Sequence, residues 1–319
     1  MANQQQGAFR LFRFRDIDVF LHWSWFLVAL FEINGRNRAY SSMVWNVLEY
    51  LALFGIVLTH EFGHALACKQ VGGKAERIML WPLGGVAYVD PPQRAGAFLW
   101  SIAAGPLVNV VLVPVFLGLG VVSRSMGLPQ TAPDVYVLLR AVTYINAGLL
   151  IFNLLPIYPL DGGQIVRSLL WFPFGRARSL TIASVLGLIG VLGLAAVAVI
   201  GGSFWLGLLA FYILVNCWAG LRAGLQMGKI DKLPKRPGYA CPSCKTAPPM
   251  GDLWKCDGCT SQFDTFANQA QCPVCGKQFA VMTCFDCRTA SPIAAWSAGT
   301  VGQILEAMPV NMGEPIEPR

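Results

Sequence analysis

Apolar residues in this chain gather into long runs, and the polar residues fall mostly in the breaks between them. The runs at 44–68, 96–123, 135–157, 179–200 and 203–225 are each long enough to cross a bilayer as a helix. At ~1.5 Å per residue, each covers the ~30 Å of hydrocarbon. A shorter, aromatic-rich run at 19–33 lacks the cleavage site of a secretory signal and reads as a retained first span. The stretch 78–89 differs, because strand-forming residues interrupted by Gly84-Gly85 predict a β-hairpin. Between the fourth and fifth spans, Asp161-Gly162-Gly163-Gln164 opens a short helix that Pro173 ends. From about Lys229 the apolar runs stop. The pattern predicts an α-helical polytopic membrane protein with about six transmembrane helices and a short membrane-associated β-hairpin, followed by small cysteine-rich domains. Its divisions fall at 1–18, a membrane domain at 19–228, a linker at 229–239, a cysteine-rich region at 240–290 and a partly disordered tail at 291–319.

Composition sharpens this picture. Of 319 residues, 55% are hydrophobic and 13% charged, against about 25% charged in a soluble domain. The net charge of +7 is explained by its distribution along the loops. With the N-terminus inside, fifteen Lys and Arg face the cytoplasm and four (Arg36, Arg38, Arg124, Arg140) lie toward the outer side. That asymmetry predicts a multi-pass protein of the cell (inner) membrane with both termini cytoplasmic. It also puts the cysteine-rich region in a reducing compartment.

Within the second run stands His60-Glu61-Phe62-Gly63-His64. On a helix, His60 and His64 stack on one face at the separation that lets two imidazoles share a zinc ion, with Glu61 beside them to take a proton from water. Two of the chain's three histidines fall in this pattern. Ionisable groups inside a membrane cost on the order of 2.5–3.5 kcal/mol, so an idle cluster there is disfavoured. Zinc needs a third protein ligand and an open position. Asp161 offers one, in a stretch from Asn153 to Gly163 whose prolines and glycines unwind the end of the fourth span. A second reading makes Asp161 the N-cap of the next helix, and the two roles can coexist. Asn109, among the small residues Ala103, Ala104 and Gly105, is open between helix packing and substrate contact. His22 reads as an interfacial residue, and Cys68 and Cys217 as small apolar packers.

His60-Glu61-Phe62-Gly63-His64, Gly105-Pro106-Leu107-Val108-Asn109 and the Asn153–Gly163 stretch, in this order, resemble the site-2 protease family of intramembrane metalloproteases. Pro82-Leu83-Gly84-Gly85-Val86 and His22-Trp23-Ser24 resemble its compact six-span members, and the likeness covers about residues 17–226. The resemblance implies zinc held by His60, His64 and Asp161, with Glu61 as general base and Asn153 as a donor to the oxyanion. It implies cleavage of the transmembrane segments of membrane-protein substrates. Such a substrate must be extended before attack, and the hairpin around Gly84 and Gly85 offers an edge to hold it by strand addition. The family's usual accessory modules are not recognisable here.

Eight of the ten cysteines form four pairs, Cys241/Cys244, Cys256/Cys259, Cys272/Cys275 and Cys284/Cys287. Four C-x-x-C pairs in a reducing compartment point to two structural zinc ions in tandem ribbons. Sequential pairing (first with second, third with fourth) closes the shortest loops, and pairing first with third and second with fourth is the alternative. After Gly238 there are five Lys and Arg against seven acids, which disfavours nucleic acid and favours a cytoplasmic protein partner. The competing function is a non-catalytic, zinc-braced membrane adaptor that recruits partners through its ribbons. Glu61 separates the two, since a structural site wants a fourth ligand rather than a base beside an open position.

Overall fold

The computed structural model describes residues 7–35, 40–81 and 84–296. The chain divides into two compact units, Met1–Gln226 and Met227–Arg319.

In the first unit, strands β1 (Ala8–Phe14) and β2 (Ile17–His22) lead into helix α1 (Ser24–Gly35). Helix α2 (Met43–Gln70) is followed by strands β3 (Lys74–Trp81) and β4 (Gly84–Asp90). Then come α3 (Ala95–Ser125), the single turn α4 (Leu128–Thr131), α5 (Pro133–Leu154), α6 (Asp161–Ile200) and α7 (Phe204–Asp231). Five of these, α2, α3, α5, α6 and α7, are long and apolar enough to cross a membrane. α6 is two helices joined at a break, where Gly175 takes φ 77° and ψ 174° just after Pro173.

The expected first span is corrected. Residues 19–22 belong to β2, and α1 has 12 residues, about 18 Å of helix against ~30 Å of hydrocarbon. α1 starts against the middle of α2: the Trp25 ring meets Tyr50 and Phe54, and the Tyr50 hydroxyl donates to the Trp25 carbonyl at 2.8 Å. β2 and α1 together therefore stand where a sixth span was expected.

The expected hairpin is also larger than its signal. β3 and β4 are half of a four-stranded sheet of order β1-β2-β3-β4. β1/β2 and β3/β4 are antiparallel, and β2/β3 is parallel. Gly84 and Gly85 lie within β4, opposite Trp81 and Leu80. The connecting residues 82–83 fall outside the described residues. Alternation fixes the sheet's inner face: Ile17, Val19, Ile78 and Leu80 are fully buried and pack with Val57, Ala65 and Cys68 of α2. The N-terminal segment reads as polar because Arg10 and Arg13 interrupt the apolar residues of β1 without a strand's regular alternation.

The second unit is built on hairpins β5 (Trp254–Lys255)/β6 (Gln262–Phe263) and β7 (Met282–Thr283)/β8 (Ala290–Ser291). The cysteines pair in neither expected way but nested. Cys241 and Cys244 join Cys284 and Cys287, while Cys256 and Cys259 join Cys272 and Cys275. One aromatic core explains this. Trp254, Phe263, Phe266, Met282 and Trp296 are buried together, with Phe266 edge-on to Tyr239, Trp254 and Trp296. Modules of ~20 residues bury too little to keep separate cores. The longer closure costs only about 0.6 kcal/mol per doubling of loop length. Residues 234–236, expected as linker, pair with 248–250, and the Arg236 guanidinium donates to Asp264. Burial works to raise the Asp264 carboxyl, but backbone N–H groups of Gly251, Ala267 and Phe266 and the Arg236 charge hold it below its usual value. The tail expected from 291 lies outside the described residues beyond 296.

Candidate metal centre

His60 and His64 are one turn apart on α2, and both are buried, as is Glu61 between them. The third group arrives from the start of α6. Leu160 holds the N-cap position there, and no side chain caps the helix. Asp161 is thus not the cap of α6, and its carboxylate turns to the imidazoles instead. Asp161 Oδ2 lies 3.0 Å from His60 Nε2 and 3.4 Å from His64 Nε2. Gly162 and Gly163 permit this approach, because a Cβ on either would lie within 2.4 Å of backbone atoms of Leu154–Tyr158. Gly105 of α3 does the same for His64, where a Cβ would fall 2.2 Å from Nε2.

The other face of each ring fixes its proton. His64 Nδ1 donates to the Ser101 carbonyl at 2.9 Å, and His60 Nδ1 donates to Asn109 Oδ1 at 2.5 Å. With both Nδ1 atoms donating, both Nε2 atoms carry lone pairs, and these lie 3.1 Å apart. Asp161 adds another. Three acceptors held within 4.8 Å of one another repel unless a cation lies among them. Two imidazole nitrogens and one carboxylate are a donor set that zinc accepts, with a position left over. The residues fit the metal.

Glu61 Oε2 accepts the Ala87 N–H of β4 at 2.9 Å. Gly85 makes room for it, since a Cβ there would fall 2.2 Å from Glu61 Cγ. The sheet and the zinc motif therefore meet at Glu61. Asn109 sits as the helix-packing reading of it expects, a buried amide bridging helices. It is fully buried, and its amide bonds to His60 of α2 and to Asn146 of α5. Asn153 is half-buried next to the last residue of α5. His22 closes β2 with its ring stacked on Trp81, centroids 4.2 Å apart. Cys68 and Cys217 are fully buried. Sequence reasoning missed Asn146, Ala87 and the Ser101 carbonyl. Asn146, a buried amide in an apolar helix, had a signal of its own; the other two act through backbone atoms and had none.

The model of peptidase family M50 matches residues 49–133 and 130–197. A zinc metalloprotease of Methanocaldococcus jannaschii is 36% identical over 180 residues, 56% of this chain and 50% of that protein. Stage IV sporulation protein FB of Bacillus subtilis is 31% identical over 169 residues, 51% of each chain. The solved structure of a site-2 protease from Methanocaldococcus jannaschii is 29% identical, covers 67% of this chain and 95% of that one, and gives a TM-score of 0.48. The chain spans about half the length of the curated relatives it matches.

Proposed function

We propose, from the premise that this chain belongs to peptidase family M50, the site-2 proteases, that it is an intramembrane zinc metalloendopeptidase cleaving transmembrane segments of membrane-protein substrates. The observation that carries this reading is the convergence of His60, His64 and Asp161 with Glu61 beside them, in helices apolar enough to span a membrane. His60, His64 and Asp161 would hold the zinc. When bound, the metal supplies Lewis acidity toward the scissile carbonyl and an attacking water. Glu61 takes the proton from that water as its oxygen bonds to the carbonyl carbon, then passes it to the amine as the C–N bond breaks. Asn153, in the role that the family resemblance gives it, donates to the oxyanion. β4 is an edge strand, and its contact with Glu61 supports the idea that an extended substrate pairs there.

Two further zinc ions belong to the nested cysteine sets, giving three per chain, and the ribbon unit engages a cytoplasmic protein partner. Both termini and the 77–94 segment face the cytoplasm of the cell (inner) membrane, in keeping with the Lys and Arg distribution.

The test is cleavage of a membrane-helix substrate in liposomes, with zinc measured on the same samples. Glu61→Gln keeps the zinc and loses about 100- to 10,000-fold in rate, whereas Asp161→Ala loses zinc from this site. Near-normal cleavage by a zinc-replete Glu61→Gln protein sinks the general-base role. A wild type that cleaves nothing across a broad panel of helices returns the adaptor reading.

A further inference from the structure

The two histidines donate from Nδ1 to acceptors of different kinds. His64 meets a backbone carbonyl, that of Ser101, which can only accept. His60 meets the side-chain amide of Asn109, which accepts through Oδ1 but, turned by half a rotation, would donate through Nδ2. A turned amide would make His60 Nδ1 the acceptor and move the ring proton to Nε2. His60 would then lose the lone pair that it offers to the metal site.

Something must hold that amide, and Asn146 of α5 is placed to do so. Asn109 Nδ2 donates to Asn146 Oδ1 at 2.8 Å, and Asn146 Nδ2 donates to the Asn109 backbone carbonyl at 3.0 Å. The second bond ends on a group that can only accept, so Asn146 has one orientation. Its Oδ1 must then face Asn109 Nδ2, which leaves Asn109 Oδ1 for His60. Both asparagines are 0% exposed, so bulk water cannot replace a missing partner. The direction of three hydrogen bonds is thus set by one backbone carbonyl. We propose that Asn146 is a positioning residue, which fixes the amide of Asn109 and so keeps His60 Nε2 open to a cation. This rests on the reading of His60 as a metal ligand.

The chain has three histidines, so ¹⁵N-histidine labelling of the full, chelator-treated chain can follow the His60 tautomer directly, with His64 as an internal reference. Wild type keeps Nδ1–H on both rings. Asn146→Leu moves His60 to the Nε2–H form and leaves His64 unchanged. Asn146→Asp still accepts from Asn109 and leaves both as in wild type. Adding Asn109→Asp, which can only accept, to Asn146→Leu restores His60. Chelator competition should show zinc at this site held about 10- to 100-fold more weakly in Asn146→Leu, and near wild type in Asn146→Asp. A His60 that keeps Nδ1–H in Asn146→Leu overturns the proposal, as does an equal shift in the aspartate variant. Where His64 also loses its signal, the leucine has cost the fold, and Asn146→Ala, without the bulk, carries the comparison. Asp161→Ala separates the two readings. Should it bind zinc as wild type does, the metal assignment fails while the tautomer result stands.

Discussion

At the residue scale, two glycines divide the labour of the site. Gly105 leaves space for the His64 imidazole and Gly85 for the Glu61 side chain, whose Nε2 and Cγ respectively lie 2.2 Å from where a Cβ would sit. Contacts that short cannot be absorbed in place, so the neighbouring side chain must move. Gly105→Ala displaces His64, the proposed metal ligand, and chelator competition should find zinc at this site weakened at least tenfold. Gly85→Ala displaces Glu61, the proposed base, alone, so zinc content should stay at the wild-type level while cleavage falls at least tenfold. A Gly85→Ala protein that loses zinc would show that the two neighbourhoods are not separable. The His60 and His64 pair was legible in the sequence because histidine spacing on a helix is local geometry. The groups behind them were less so, since the Ser101 carbonyl meets His64 and Asn146 meets Asn109 only once the helices pack.

At the element scale, the same boundary between local and distant recurs. The long apolar runs announced α2, α3, α5 and α7, and Pro173 announced the break at Gly175. The parallel pairing of β2 with β3 joins residues about sixty apart in sequence and left only weak signals: short, half-polar strands. In the tail, the cysteine pairs were plain and their partners were not. The nested arrangement has a measurable consequence, because both cysteine sets border one shared core. Cys259→Ser breaks the inner set and loosens the outer, since Trp254 and Phe263 flank that hairpin. We expect metal analysis of the purified chain to show nearly two zinc ions lost and not one. A loss of one, with the outer set intact, would make the sets independent.

At the scale of the whole first unit, the sheet replaces part of a span. Phe12 and Phe14 of β1 meet Phe62 on α2, with ring centroids 6.4 and 5.7 Å apart, so the strand lies at the level of the zinc motif. The sequence pattern predicts strands only at 78–89 and reads 1–18 as a polar segment, so β1 is not expected at that level. Cysteine scanning tests the placement: Leu11→Cys, on the exposed part of β1, should react with a membrane-impermeant thiol reagent from the cytoplasmic side. Protection there, with reaction from outside, would invert the proposed topology.

A sheet with open edges, unlike a helix, leaves N–H and C=O groups that its own strands do not satisfy, and lipid offers them nothing. Hydrolysis consumes a water molecule at every turnover, and a bundle of apolar helices alone has no means of delivering one. On the proposed peptidase reading, the strands beside Glu61 would act as plumbing, an inlet for water next to the site.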